Sequence, residues 1–264
     1  MLCKICECPS SAWAKALVLK KYLVQYYHCE YCGFIQTEEP YWLEESYSEA
    51  IARNDIGLVG RNLAMTGLTS ATILTFFDCN ARFVDYGGGY GLFVRLMRDH
   101  GMDFYRNDKY APNLFAQGFE ADEAGNYPYE LLTAFEVFEH LVNPLNEIQQ
   151  MMLYSRSILF TTFLVPVPSP ALEAWWYYSL DHGQHISLYT LQSLKVLAQK
   201  LNLNLYSNQR SFHLLTDKKL SRTLFEFVSR GKISMLVNFI LYKRLAHQSF
   251  LPSDYVALTG KNLS

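Results

Sequence analysis

The sequence predicts an α/β fold built on a mostly parallel sheet, preceded by a small cysteine-rich appendage. Three observations carry this. A strand, a glycine-rich turn and a helix start follow one another from Arg82 to Leu96. Strand-like and helix-like segments then alternate as far as Leu164, the pattern of βαβ units and parallel pairing. Ahead of both lie two Cys-x-x-Cys pairs within the first 32 residues.

Composition narrows the class. Half of the 264 residues are hydrophobic and 18% are charged, which excludes an intrinsically disordered chain. The net charge of −2 gives no basic coat, so a nucleic-acid partner is not expected. No run approaches the roughly 18 apolar residues of a membrane helix, so no membrane span is expected. The opening Met-Leu-Cys-Lys-Ile-Cys lacks the apolar stretch of a secretory signal. The expected compartment is the cytoplasm, where thiols stay reduced and paired cysteines point to metal before disulfide. Oligomeric state leaves no mark in the sequence.

Cys3 and Cys6 form the first pair; Cys29 and Cys32, followed by Gly33, form the second. Two intervening residues let both sulfurs of a turn face one ion, and two such turns supply four thiolates to a tetrahedral Zn²⁺. A site closed by four protein ligands makes the ion structural, and a segment this short would draw its folding energy from it. Cys8 is left as a spare thiol and Cys79 as a core residue. Ala16–Tyr27 reads as β structure, so residues 1–37 form a zinc-ribbon-like segment. Residues 38–78 form a helical linker or lid, acidic at first, with Tyr47, Arg53 and Arg61 able to approach a ligand. Asn62–Phe77 reads as its helix.

The chemistry-bearing core begins at Val-Asp85-Tyr-Gly87-Gly-Gly89-Tyr-Gly91. Glycines let the backbone turn sharply and approach a ligand, and the helix that follows offers free N–H groups. The order Asp-x-Gly-x-Gly-x-Gly differs from the dinucleotide fingerprint Gly-x-Gly-x-x-Gly. A second strand, Asp103–Arg106, leads to Asp108, 23 residues after Asp85, where an acid can accept hydrogen bonds from ribose hydroxyls. Glu130–Phe135 reads as a third strand, Leu145–Tyr154 as a helix and Ser157–Leu164 as a fourth strand. The ligand is expected at the carboxyl ends of these strands. Residues 79–211 make this domain. The remaining 212–264 read as a locally basic helical extension, better suited to packing than to a membrane surface.

The string from Asp85 to Gly91, then Asp108, then Ala134-Phe-Glu-Val-Phe-Glu-His140-Leu, resembles class I S-adenosylmethionine-dependent methyltransferases. The resemblance spans about residues 80–210. The later Asp181-His-Gly-Gln-His185-Ile-Ser-Leu-Tyr189-Thr also looks like that family. The resemblance implies a Rossmann-like sheet, with Asp85, Gly87, Gly89 and Gly91 on the methionine side of the cofactor. It implies Asp108 at the ribose, Phe135 and Glu136 beside the methionine moiety, and Phe119, Glu120 or Asp122 near the adenine. More loosely, the double Cys-x-x-Cys before this domain is similar to zinc-bearing sugar C-methyltransferases. Those enzymes tend to carry Glu-His-x-Ser-Tyr-Phe-Ser where this chain has Gln184-His185-Ile-Ser-Leu-Tyr-Thr. Glutamine cannot act as a base, which favours a hydroxyl acceptor over a carbon next to a carbonyl.

The implied reaction is methyl transfer to a small molecule, a sugar or nucleotide-linked sugar among them. A hydroxyl nucleophile needs a proton acceptor, and histidine titrates in the right range. His185 ranks first, His140 second and His182 third. Tyr189 and Tyr178 are candidates to orient base or substrate, and Trp175-Trp-Tyr-Tyr178 a stacking wall for a ring. Two other readings stay open: a modifier of RNA or protein gripping its substrate through the zinc ribbon, and a non-catalytic cofactor-binding or scaffold module.

Overall fold

The computed structural model describes residues 1–47, 56–121, 129–245 and 248–262. Arg53 of the expected lid and Asp122 lie outside them.

The N-terminal segment, expected to be β structure over 16–27, is an antiparallel sheet. β1 (Ser11–Val18) and β2 (Tyr22–His28) form a hairpin, and β3 (Ile35–Thr37) pairs with β2. Alternation explains the hairpin: Ala16, Val18, Val24 and Tyr26 face the interior while Leu17 and Leu23 face solvent. A short helix α1 (Leu43–Ser46) follows, then α2 (Leu58–Phe76), which starts four residues before the expected 62–77 and ends one residue short of it.

The main sheet contains β4 (Arg82–Tyr86), β5 (Asp103–Asn107), β6 (Leu131–Ala134), β7 (Ile158–Thr161), β9 (Asn204–Ser207) and β10 (Phe212–Thr216). Its order is β5-β4-β6-β7-β10-β9. The first four strands are parallel, and β10 runs antiparallel to both neighbours, so the sheet is mixed. β6 and β7 are buried throughout and mostly apolar, and the centre of β4 is buried too, as strands covered on both faces must be. One face carries α4 (Pro144–Tyr154) and α5 (Leu191–Lys200) through Ile148, Met151, Leu194 and Leu197. The other carries α2, α3 (Leu92–Asp99) and α6 (Arg222–Val228) through Ile73, Val94, Met97 and Phe225.

Phe212–Thr216 corrects the sequence reading, which assigned it to the helical extension. It is a fully buried strand. With three apolar residues in five, the segment is too short for its period to identify it. Beyond it the basic segment splits into α6 and α7 (Gly231–Leu245), the latter tied to α2 by Asn238 Nδ2 donating to the Gly67 carbonyl at 2.8 Å. The last helix, α8 (Leu251–Thr259), lies on α3. None of the described helices is long and apolar enough to cross a membrane.

The appendage is not a separate body. A two-residue strand β8 (Ser187–Leu188), far along the chain, pairs with β3. Cys3, Ile5, Cys29 and Phe34 share one core with Phe138, Phe160 and Tyr189.

α8 is fastened by charge. The buried Asp254 accepts from Arg98 at 2.7 and 2.8 Å and from Arg95 at 2.8 Å. Removing one member of a buried pair strands the other charge. Asp254→Ala is expected to lower unfolding free energy by about 3–5 kcal/mol, read from urea melts.

Candidate active site at the strand-order reversal

After β4 the chain crosses to β5 on one side, then returns to β6 and β7 on the other. A crevice opens at such a reversal, at the carboxyl ends of the strands. Here a cleft of about 910 Å³ lies there, lined by Asp85, Gly87, Gly88, Gly89, Phe135 and Glu136 on the sheet side. His140, His182, His185, Trp175 and Trp176 line the facing side.

The glycine turn is required by geometry at two positions. Gly87 has φ +70°, and a Cβ there would lie 2.8 Å from Val137 Cγ2. Gly91, the N-cap of α3, has φ +85°, and a Cβ would meet Asn113 Oδ1 at 2.7 Å. Both conformations suit glycine far better than any side-chain-bearing residue. Gly89 N–H donates to Asp108 Oδ2 at 2.8 Å, and Arg106 Nε donates to the Gly89 carbonyl at 2.6 Å. Asp108 Oδ1 accepts from the N–H groups of Tyr110 and Ala111, both at 2.8 Å. Asp108 thus braces the turn against the loop after β5. Glu120 joins this bracing through Arg106 Nη1 at 2.8 Å, while Phe119 stacks under the Arg98 guanidinium at 3.8 Å.

Asp85 ends β4 under the turn, 4% exposed, with Oδ1 accepting from Thr133 Oγ1 at 2.6 Å. Burial pushes its carboxyl up to about 7, and nearby Asp108 adds to the rise. After β6, Phe135 packs edge-on against Phe93, and Glu136 takes φ +55°. That left-handed conformation is costly for a non-glycine residue. It is held by the Glu136 N–H donating to Thr161 Oγ1 at 2.8 Å, while the Thr161 hydroxyl donates to Glu136 Oε1 at 2.9 Å.

The histidines meet because two distant segments are bonded together. Ile186 N–H donates to the Glu139 carbonyl at 2.9 Å, Ser187 Oγ to the Leu141 carbonyl at 2.7 Å, and Tyr189 OH to the Phe138 carbonyl at 3.0 Å. The His140 and His185 rings then sit 5.1 Å apart. His185 Nδ1 lies 2.6 Å from the Tyr177 carbonyl, and His140 Nδ1 lies 2.9 Å from Tyr47 OH. Burial depresses both imidazoles, His185 to about 4 and His140 to about 3. His182 lines the cleft nearby.

Other expected residues take different places. Tyr189 is buried on the Phe138 carbonyl and Tyr178 OH donates to the Pro170 carbonyl, so neither hydroxyl is directed at a histidine. Of the Trp175–Tyr178 run, only the two tryptophans line the cleft. Gln184 Nε2 donates to the Ser46 carbonyl, anchoring α1. The residue missed in the sequence is Glu139. It is fully buried beside both histidines, and burial raises its carboxyl well above the usual range. It stands within the quoted Glu-His string, but nothing local distinguishes it from Glu136.

The cysteines converge as the two-pair spacing requires. Sγ of Cys3, Cys6, Cys29 and Cys32 lie within 4.8 Å of one another, with Cys3–Cys32 at 3.6 Å and Cys6–Cys29 at 3.4 Å. Thiolates on one Zn²⁺ at about 2.3 Å stand roughly this far apart, so the four fit that ion. Cys8 is outside the set, its thiol near the Cys6 carbonyl. Thr190 Oγ1 donates to the Cys32 carbonyl at 2.6 Å and also caps α5, joining the cluster to the core.

Asp85 makes stability depend on pH. Its folded-state carboxyl titrates near 7 and its unfolded one near 3.8, so the native state holds the extra proton between those values. Unfolding free energy should therefore fall as pH rises from about 4 to 7, by up to about 1.4 kcal/mol per unit. Asp85→Asn should flatten that slope in urea melts across the window.

Comparison with known proteins agrees with this geometry. The family model described as "Methyltransferase domain" matches residues 61–208. No curated protein matches the sequence. Among solved structures, the S-adenosylhomocysteine-bound methyltransferase CalO1 of calicheamicin biosynthesis is 16% identical, with TM-score 0.44 over 67% of this chain and 60% of that one. The plantazolicin methyltransferase BpumL, bound to a monoazolic analogue and S-adenosylhomocysteine, is 14% identical, with TM-score 0.44 over 78% of this chain and 87% of that one. An O-methyltransferase family protein from Burkholderia thailandensis is 12% identical, with TM-score 0.41 over 68% of each chain. The chain spans about 60% of the length of the first of these. The family match covers more than half of the chain and includes the glycine turn, Asp108 and the histidine-bearing segments. The chain belongs to the methyltransferase domain family, in its class I, S-adenosylmethionine-dependent form.

Proposed function

We propose that the protein transfers a methyl group from S-adenosylmethionine to a hydroxyl of a small-molecule acceptor. The carrying observation is the cleft itself, which joins a braced glycine turn at the strand-order reversal to a pair of half-buried histidines across from it. The donor is a cation, and Asp85, Asp108, Glu136 and Glu139 cluster around that end of the sheet. In this reading Asp85, Gly87, Gly89 and Gly91 hold the methionine portion and Asp108 the ribose. Phe135 and Glu136 lie beside the methyl-bearing sulfur.

Methyl transfer from a sulfonium is an in-line displacement, so the protein's tasks are to position the oxygen and dispose of its proton. A backbone carbonyl can only accept, so His185 carries its hydrogen on Nδ1 and keeps a lone pair on Nε2. That tautomer suits a proton acceptor, with His140 next in rank and His182 third. Trp175 and Trp176 offer flat walls suited to a ring, a sugar among them. Zn²⁺ on Cys3, Cys6, Cys29 and Cys32 would be structural, a closed four-thiolate site with no position open to substrate.

Calorimetric titration with S-adenosylmethionine and S-adenosylhomocysteine tests the central reading: micromolar binding is expected, and none by a folded, zinc-loaded sample would sink it. Asp108→Ala should weaken binding at least about tenfold, since hydrogen bonds to a charged group are worth about 1.5–3 kcal/mol; unchanged affinity would remove the ribose assignment. One zinc per chain is expected by metal analysis. Cys32→Ser should release it and lower the melting temperature, because metal binding and folding are coupled.

A further inference from the structure

Glu139 poses a problem that methyl transfer alone does not answer. Its side chain is fully buried, and the hydroxyls set against its carboxylate, those of Tyr177 and Thr162, stand near it but outside hydrogen-bond geometry among the described residues. Buried polar atoms left unpartnered are rare and costly. His140 follows it directly in the chain and His185 is held beside it by the Ile186–Glu139 backbone bond. One ligand atom from each of Glu139, His140 and His185 lies within 4.8 Å of those from the other two.

We propose that Glu139, His140 and His185 form a binding site for one divalent transition-metal ion, opening on the cleft. The donor set is two imidazoles and one carboxylate. Such a triad leaves coordination positions open to water or substrate, unlike the closed cysteine cluster. The surroundings match the requirements of ligating histidines. The Tyr177 carbonyl fixes the His185 hydrogen on Nδ1, and Tyr47 OH occupies His140 Nδ1, so in each ring Nε2 is the nitrogen left for a ligand. An ion supplies the cation that the buried Glu139 carboxylate lacks.

The existence of this site is independent of the methyl-transfer reading; its use rests on that reading. An acceptor hydroxyl bound to such an ion loses its proton to solvent far more readily than a free one. The oxygen lone pair then forms the O–CH₃ bond as the S–CH₃ bond breaks, its electrons staying on sulfur as S-adenosylhomocysteine leaves. The two histidines serve as ligands in this scheme, and the ion takes over the activation otherwise assigned to a base.

Mn²⁺ is the probe, because it favours nitrogen and oxygen donors and leaves thiolate-bound zinc in place. It is titrated into the full zinc-loaded chain and followed by electron paramagnetic resonance. Wild type should bind one Mn²⁺ per chain, and Glu139→Gln and His185→Gln should each weaken binding at least tenfold while zinc content and melting temperature hold. Spin-echo modulation from directly bound imidazole nitrogen is expected in wild type, a readout that needs no variant. If the purified chain already holds a metal equivalent beyond the cysteine-bound zinc, loss of that equivalent in Glu139→Gln supports the site and its retention overturns it. No binding by wild type at millimolar Mn²⁺, no nitrogen modulation, or equal affinity in wild type and both variants would each overturn the proposal. Titration of the same sample with S-adenosylmethionine separates the two readings: cofactor binding without Mn²⁺ binding rejects the metal site alone.

Discussion

Three hydrogen bonds to the short turn at Phe138–Leu141 hold the candidate site together. Their donors, Ile186 N–H, Ser187 Oγ and Tyr189 OH, come from a segment that lies more than forty residues further on. They bring His185 against His140 and close Glu139 off from solvent. The same segment supplies β8 to the N-terminal sheet and the Thr190 hydroxyl to the Cys32 carbonyl. The cysteine cluster, the histidine pair and the face of the sheet under α5 therefore share one seam. Its apolar filling is aromatic, with Phe138 stacked on Phe160 at 3.7 Å and Tyr189 packed against Phe34. Buried hydrogen bonds of this kind gain from the low polarity around them, and breaking one exposes its partners to a cost without compensation.

Much of this was legible in the sequence where the signal is local. The strand–turn–helix from Arg82 onward was readable because glycine spacing reports backbone conformation directly, and Gly87 and Gly91 do take positive φ. Asp108 was readable because one helix and one strand fix its distance from Asp85. The cysteine pairs were readable because two-residue spacing reflects ligand geometry. What escaped was set by tertiary placement. Glu139 and Glu136 are both glutamates in the same short string, and only the packing of residues 177–189 makes one of them buried and unpartnered. β10 escaped because Phe212–Thr216 is too short for its apolar run to separate strand from helix. The hairpin escaped because its turn uses Leu19 and Lys20 at positive φ, where asparagine or glycine would have marked it.

The electrostatics of the cleft are uneven by construction. On the sheet side, Asp108 spends both oxygens on backbone N–H groups, with the Arg106 guanidinium at 3.7 Å. Asp85, one strand end away, has a single hydroxyl partner and sits in a region that disfavours charge. The two acids stand at the ends of paired strands, yet one is held by several N–H donors and the other is pushed up to about 7 by burial. A cationic ligand arriving beside Asp85 would favour the charged form that burial disfavours.

The clasp between Arg98 and Asp254 has a consequence for how the chain is made. Its partners are 156 residues apart, so the contact belongs to the least local class in the fold. Loop-closure entropy and contact order both place such contacts late in assembly. On the ribosome, α3 and the glycine turn emerge early, and until α8 has been synthesised the Arg98 guanidinium has only the nearby Asp103 carboxylate of its two acidic partners. Over that interval the partly built sheet presents uncovered apolar surface, the state in which growing chains of this size aggregate or recruit chaperones.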